Sequence, residues 1–145
     1  MNSSLKILIV SALALPLGAC VPEYGTGGPV LGAPPPIQRA SIPDSISTRD
    51  ADTIYVSVND SPGSGVNLCM KNSATWDKGF TVHGKGRNKV DKGRTVCTRV
   101  VAGSSVVVGL EKRKFPGDFR KVGTQTFDFT GWDGYQVTMD WQKEG

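Results

Sequence analysis

From about residue 50 onward, apolar and polar residues alternate with a period of two, and glycine or proline interrupts the pattern roughly every eight to twelve residues. That combination leaves an antiparallel β fold as the chain's way to build a core. Ile54, Val56 and Val58 alternate with Tyr55 and Ser57, and Val66, Leu68 and Met70 alternate with Asn67, Cys69 and Lys71. Phe80 and Val82 suggest a third strand, and Val96, Thr98 and Val100 a fourth. Ser104 to Leu110 contains three consecutive β-branched residues, Val106 to Val108, as a central strand would. Phe127 and Phe129 mark a sixth strand; Gly131-Trp132-Asp133-Gly134 then supplies a turn, and Tyr135, Val137, Met139 and Trp141 mark a seventh. No window shows an amphipathic helix. The expected fold is all-β, a single small antiparallel β-sandwich of about seven strands spanning residues 51–145. The spacing is compatible with either an immunoglobulin-like or a transthyretin-like arrangement, and no Trp lies midway between the two cysteines of this region, as a true immunoglobulin pattern would require. Tyr135 and Trp141 are expected in the core and Trp132 as a turn residue folded over the sheet end.

A core of about 95 residues is small and gains from a covalent staple. Cys69 and Cys97 are the two cysteines of this region, and an oxidising compartment would pair them. Closing a loop of about 29 residues is worth roughly 3–4 kcal/mol in the chain-entropy picture. Both cysteines fall in the polar register of their strands, so the bridge is expected on the outer face of one sheet or across a strand edge. It is not expected to run through the middle of the sandwich.

The third cysteine, Cys20, closes the run Leu17-Gly18-Ala19-Cys20 after an apolar stretch from Ile7 to Leu17 that one cation, Lys6, precedes. The stretch is well short of the roughly 20 residues that cross a bilayer as a helix, and the order of segments is that of a secretory signal. With Leu17 three residues before the cysteine and small residues between them, residues 1–20 resemble the signal of a bacterial lipoprotein. The resemblance implies cleavage before Cys20, a diacylglycerol on its sulfur and an acyl chain such as palmitate on its amine. Several chains together make a durable anchor. Val21 stands where that class places Asp for inner-membrane retention, which implies the outer membrane, with the domain in the periplasm.

Residues 20–50 carry the lipidated cysteine and then a composition unlike the rest of the chain. Residues 21–50 hold six of the nine prolines, including Pro34-Pro35-Pro36. This is a linker spanning about 30 Å as a coil and about 90 Å fully extended. Local packing against the domain is expected only around Ile42 to Ile46, where Pro43 interrupts the pattern.

Catalytic chemistry finds little material. His83 is the one histidine and sits in His83-Gly84-Lys85-Gly86-Arg87-Asn88-Lys89, which reads as a mobile loop. No metal-ligand spacing occurs, and neither domain cysteine has a C-x-x-C partner. Gly79 to Lys85 fits the start of a phosphate-binding loop, but Gly86 replaces the hydroxyl residue that would hold magnesium. No catalytic residue, metal or cofactor is expected.

Charge carries the remaining signal. Between Lys71 and Lys121 there are thirteen Lys and Arg against Asp77, Asp91, Glu111 and Asp118. One cluster is Lys85, Arg87, Lys89, Lys92 and Arg94 on the expected loop; the other is Lys112, Arg113 and Lys114, with Arg120 and Lys121 following. If both lie at one end of the sandwich they attract an anionic partner. Trp76, in a polar stretch nearby, would contribute an aromatic contact. Export argues against nucleic acid, and no recognition motif for it is present. The expected partner is an envelope protein or an anionic envelope polymer, peptidoglycan or lipopolysaccharide, bound without catalysis. An alternative is an inhibitor or immunity lipoprotein whose basic loop plugs an acidic enzyme or toxin.

Overall fold

The computed structural model describes residues 35, 38–114 and 116–144. Cys20 and the whole signal therefore lie outside the described residues. The chain divides into Met1–Ile37, where Pro35 alone is described, and a compact unit Gln38–Gly145.

Nine strands are described in this unit: β1 Ser45–Ser47, β2 Thr53–Asp60, β3 Val66–Asn72, β4 Asp77–Val82, β5 Lys85–Val90, β6 Thr95–Val100, β7 Ser105–Arg113, β8 Phe119–Asp128 and β9 Tyr135–Lys143. They form a β-sandwich of two sheets, one of five strands in the order β1-β2-β9-β3-β6 and one of four in the order β5-β4-β7-β8. All pairs are antiparallel except β9 with β3. The last strand inserts between β2 and β3, so these two sequence neighbours are held apart by a parallel and an antiparallel ladder on either side of β9.

The period-two pattern predicts which side chains turn inward. Ile54, Leu68, Met70, Val137, Met139 and Trp141 from the first sheet meet Phe80, Val106, Val108, Leu110, Val122 and Phe127 from the second. Phe129, just past β8, stacks on Phe127 with ring centroids 5.3 Å apart. Trp141 is fully buried as expected. Trp132 covers the sheet end, edge-on to Tyr135 at 5.2 Å, whereas Tyr135 itself is only half-buried.

Three expectations need correction. The segment expected to be a mobile loop from His83 to Lys89 is instead a tight turn at His83-Gly84 followed by strand β5. Both turn residues have positive φ, 53° and 72°, the geometry that matches the twist of a two-residue hairpin. The alternation in β5 is of charge rather than apolarity: Lys85, Arg87 and Lys89 are exposed while Val90 is buried. Such lysines guard an edge strand from pairing with another chain. Secondly, β8 begins at Phe119 rather than near Phe127, because Lys121, Thr124 and Thr126 occupy its solvent face. Thirdly, the compact unit takes in residues 38–50. Ile46 in β1 is buried against the core, and Ile42 packs on it from outside.

Cys69 and Cys97 form a disulfide between directly opposed residues of β3 and β6. Their registers place Leu68, Met70 and Val96 toward the core, so the bridge lies on the outer face beside the β6 edge, as the polar register predicts.

Candidate functional site

The two ends of the sandwich differ in chemistry. At one end the inward register of four strands continues past its apolar residues into polar ones: Asp52 precedes Ile54, Asn72 follows Met70, Lys78 precedes Phe80 and Lys112 follows Leu110. All four are buried. Burying such groups is costly unless they are paired, and here each has partners. Lys112 Nζ donates to Asp52 at 2.8 and 3.1 Å and lies 3.3 Å from Asp50. Trp141 Nε1 donates to the same Asp52 carboxylate at 3.2 Å. The Asn72 amide donates to the carbonyls of Trp76 and Val90 and accepts from the Ala74 backbone N–H. Lys78 Nζ donates to the Trp76 carbonyl at 2.6 Å and to Glu144 at 2.9 Å, and it sits 5.3 Å from the Trp141 ring centre.

Glu144 follows β9 and binds the loop that leads into β4. Its Oε2 accepts the backbone N–H groups of Thr75 and Trp76 as well as Lys78. Burial acts to raise the Glu144 carboxyl, but these donors outweigh it and hold the group below its usual range. Burial pushes the Lys78 ammonium down despite Glu144. For Lys112 burial also pulls downward, yet the bonds to Asp52 and Asp50 prevail and raise it. A bond from the Arg120 guanidinium draws the half-buried Asp50 carboxyl down.

Above this layer opens a polar cleft of about 330 Å³ lined by Asp50, Trp76, Lys112, Lys114, Arg120 and Glu144. The β1–β2 turn supplies Asp50, the approach to β4 supplies Trp76, the end of β7 supplies Lys112 and Lys114, and β8 supplies Arg120. Trp76 is half-buried, with Lys114 Nζ 5.9 Å from its ring centre. Lys114 has no carboxylate partner among the described residues.

The cations singled out from sequence divide into four groups. Trp76, Lys112 and Lys114 meet at this cleft, although Lys112 is buried beneath it and unavailable to a macromolecular partner, because it continues the inward register of β7. Arg87, Lys89 and Arg113 lie on the outer face of the four-stranded sheet around Phe119, whose ring centre is 4.5 Å from the Arg87 guanidinium and 5.2 Å from that of Arg113. The glycine at 79 makes room there: a Cβ on it would come within 3.2 Å of the Arg87 side chain. These three cations are paired with acids, Arg87 with Glu111, Lys89 with Asp77 and Asp91, and Arg113 with Asp77. Lys92 and Arg94 are exposed in the β5–β6 connection at the cleft end, and Lys85 lies at the opposite end of β5. The residues that sequence reasoning missed are Asp50, Asp52, Asn72, Lys78 and Glu144. For Asp52 and Lys78 the signal was present, since each stands two residues before an inward apolar position; nothing local marks Glu144.

The opposite end is aromatic. The Arg39 guanidinium lies 5.0 Å from the Trp132 ring centre and 4.6 Å from that of Tyr135 and bonds the Tyr135 hydroxyl. Ala40 donates its N–H to Thr130 at 2.9 Å and accepts from Trp132 Nε1 at 2.7 Å. The chain thus joins the sandwich at the end remote from the polar cleft. No protein-family model, curated protein or solved structure matches the chain.

Proposed function

We propose that this chain is a lipid-anchored envelope protein that binds a partner without catalysis. In this reading Cys20 is acylated at the bacterial outer membrane, the proline-rich segment is a tether, and the sandwich works in the periplasm. The partner is an envelope protein or an anionic polymer, peptidoglycan or lipopolysaccharide. The observation that carries the reading is the gathering of exposed cations at one end, where Lys114 and the Asp50-paired Arg120 line a cleft with a half-buried tryptophan and Lys92 and Arg94 lie in the strand connection at the same end. A cationic end with an aromatic contact suits capture of an anionic surface. The inhibitor alternative keeps a smaller loop: 85–89 is a strand with Arg87 and Lys89 held in ion pairs, which leaves Lys92 and Arg94 as the basic residues of a loop.

The test is crosslinking in intact cells with a photoreactive residue at Trp76, Lys89 or Lys114. Capture of one defined protein or of one envelope polymer from positions 76 and 114 supports the proposal. Turnover of an envelope substrate by the purified protein, lost on changing His83 or an Asp without loss of folding, would overturn it.

A further inference from the structure

The polar cleft combines three features that together describe a ligand. Trp76 presents a half-buried ring as one wall, with Lys114 Nζ over it 5.9 Å from the ring centre, and the faces of sugar rings pack on the part of such walls left open. Lys114 carries a charge that no described carboxylate neutralises, and Arg120, already bonded to Asp50, stands on the same cleft. On the remaining side Asp50 is taken up by Arg120 and Lys112, and Glu144 supplies the acceptor. All the hydrogen bonds to Glu144 from described residues fall on Oε2, and a carboxylate has about four acceptor sites, so Oε1 has capacity to accept hydroxyl donors. The buried pairs Lys112–Asp52 and Lys78–Glu144 brace the floor, so the groups are held in place before any ligand arrives.

We infer that the cleft binds a single saccharide residue carrying a carboxylate. Its ring lies against Trp76, its carboxylate faces Lys114, and its hydroxyls donate to Glu144. At about 330 Å³ the cleft is at the small end of ligand sites and takes one sugar, not an oligomer. This chemistry has two sources in an envelope, the muramic acid of peptidoglycan and the keto-sugar acid of the lipopolysaccharide core. The inference rests on the binding reading above and narrows it to a ligand class.

The experiment titrates the full lipidated protein, in detergent, with N-acetylmuramic acid, with free keto-deoxyoctulosonic acid and with neutral N-acetylglucosamine, following tryptophan fluorescence. At least one acid should bind saturably, and the neutral sugar at least tenfold more weakly. Which acid binds distinguishes the sources, and co-sedimentation with intact sacculi or with lipopolysaccharide vesicles checks that choice on the polymer. Lys114→Gln should weaken the acid at least tenfold and leave the neutral sugar unchanged. Trp76→Phe should retain binding while changing the fluorescence response, and this conservative variant keeps the test readable if Trp76→Ala does not fold. Equal binding of acidic and neutral sugars, an unaffected Lys114→Gln variant, or no saturation by either acid would overturn the inference. Crosslinking to a protein alone, together with silent titrations, would defeat the sugar site and leave the binding reading standing.

Discussion

Lys78 is fully buried and its carboxylate partner, Glu144, is 18% exposed. Breaking such a pair from one side leaves a charge without compensation, which costs more than the intact pair contributes. Glu144→Gln should therefore destabilise the sandwich by about 2–3 kcal/mol, whereas Lys78→Met with Glu144→Gln should recover most of that loss; urea unfolding of the single and double variants checks both. The pH dependence follows from the depressed Glu144 carboxyl. A group whose folded value lies below its unfolded one stabilises the fold above the unfolded value, about pH 4, and the contribution disappears as pH falls through the folded value. The gap between wild type and Glu144→Gln should be full at pH 7 and close progressively below about pH 4. Lys112, raised by Asp52 and Asp50, acts at the other extreme: its contribution is present at neutral pH and is lost as pH rises past its ordinary value near 10.4.

Strands declare themselves by what they bury, and this determines which were legible in the sequence. β2, β3, β6, β7 and β9 each carry apolar residues on one register, and their alternation predicts the inward face. β5 carries none but Val90 toward the core, and its Lys-x-Arg-x-Lys pattern, with Gly86 inside it and Gly84 just before, reads as a loop to any rule that weighs apolarity alone. β1 is three residues long and contributes a single apolar side chain, Ile46, which cannot make a pattern. The polar layer was half legible: continuing the period through Leu110 to Lys112 places a lysine inside, and only the distant turn bearing Asp50 and Asp52 explains how it can stay there. The edge role of β5 is testable. Replacing Lys85, Arg87 and Lys89 together by threonine should raise self-association, seen as oligomers in size-exclusion chromatography, because the edge loses its charged guards. On the opposite sheet, replacing Cys69 and Cys97 by alanine should cost roughly 3 kcal/mol. Amide exchange should accelerate first in β6, the edge strand that the bridge ties to β3.

At the scale of the molecule, the polar cleft and the Arg39–Ala40 segment lie at opposite ends of the sandwich. Strand β9 runs nine residues from Tyr135 beside Arg39 to Lys143 at the cleft end, about 27 Å at roughly 3.3 Å per residue. If Cys20 is the anchor, Cys20→Ala should release the protein into the soluble periplasmic fraction without changing its unfolding midpoint; a protein that stays in the membrane would contradict anchoring through that thiol. The docking of Arg39 and Ala40 also has a mechanical side. A force applied at Gln38 and directed out of the aromatic end would first load the Arg39 stack and the Ala40 bonds, and then β1 along its own axis against β2. In that direction the hydrogen bonds of β1 share the load in shear instead of opening one at a time, and the disulfide at the far edge of the same sheet carries none of it. The first seven or so residues of the sandwich would act as a shock absorber, yielding under tension while the cleft, braced by its buried ion pairs, keeps its shape.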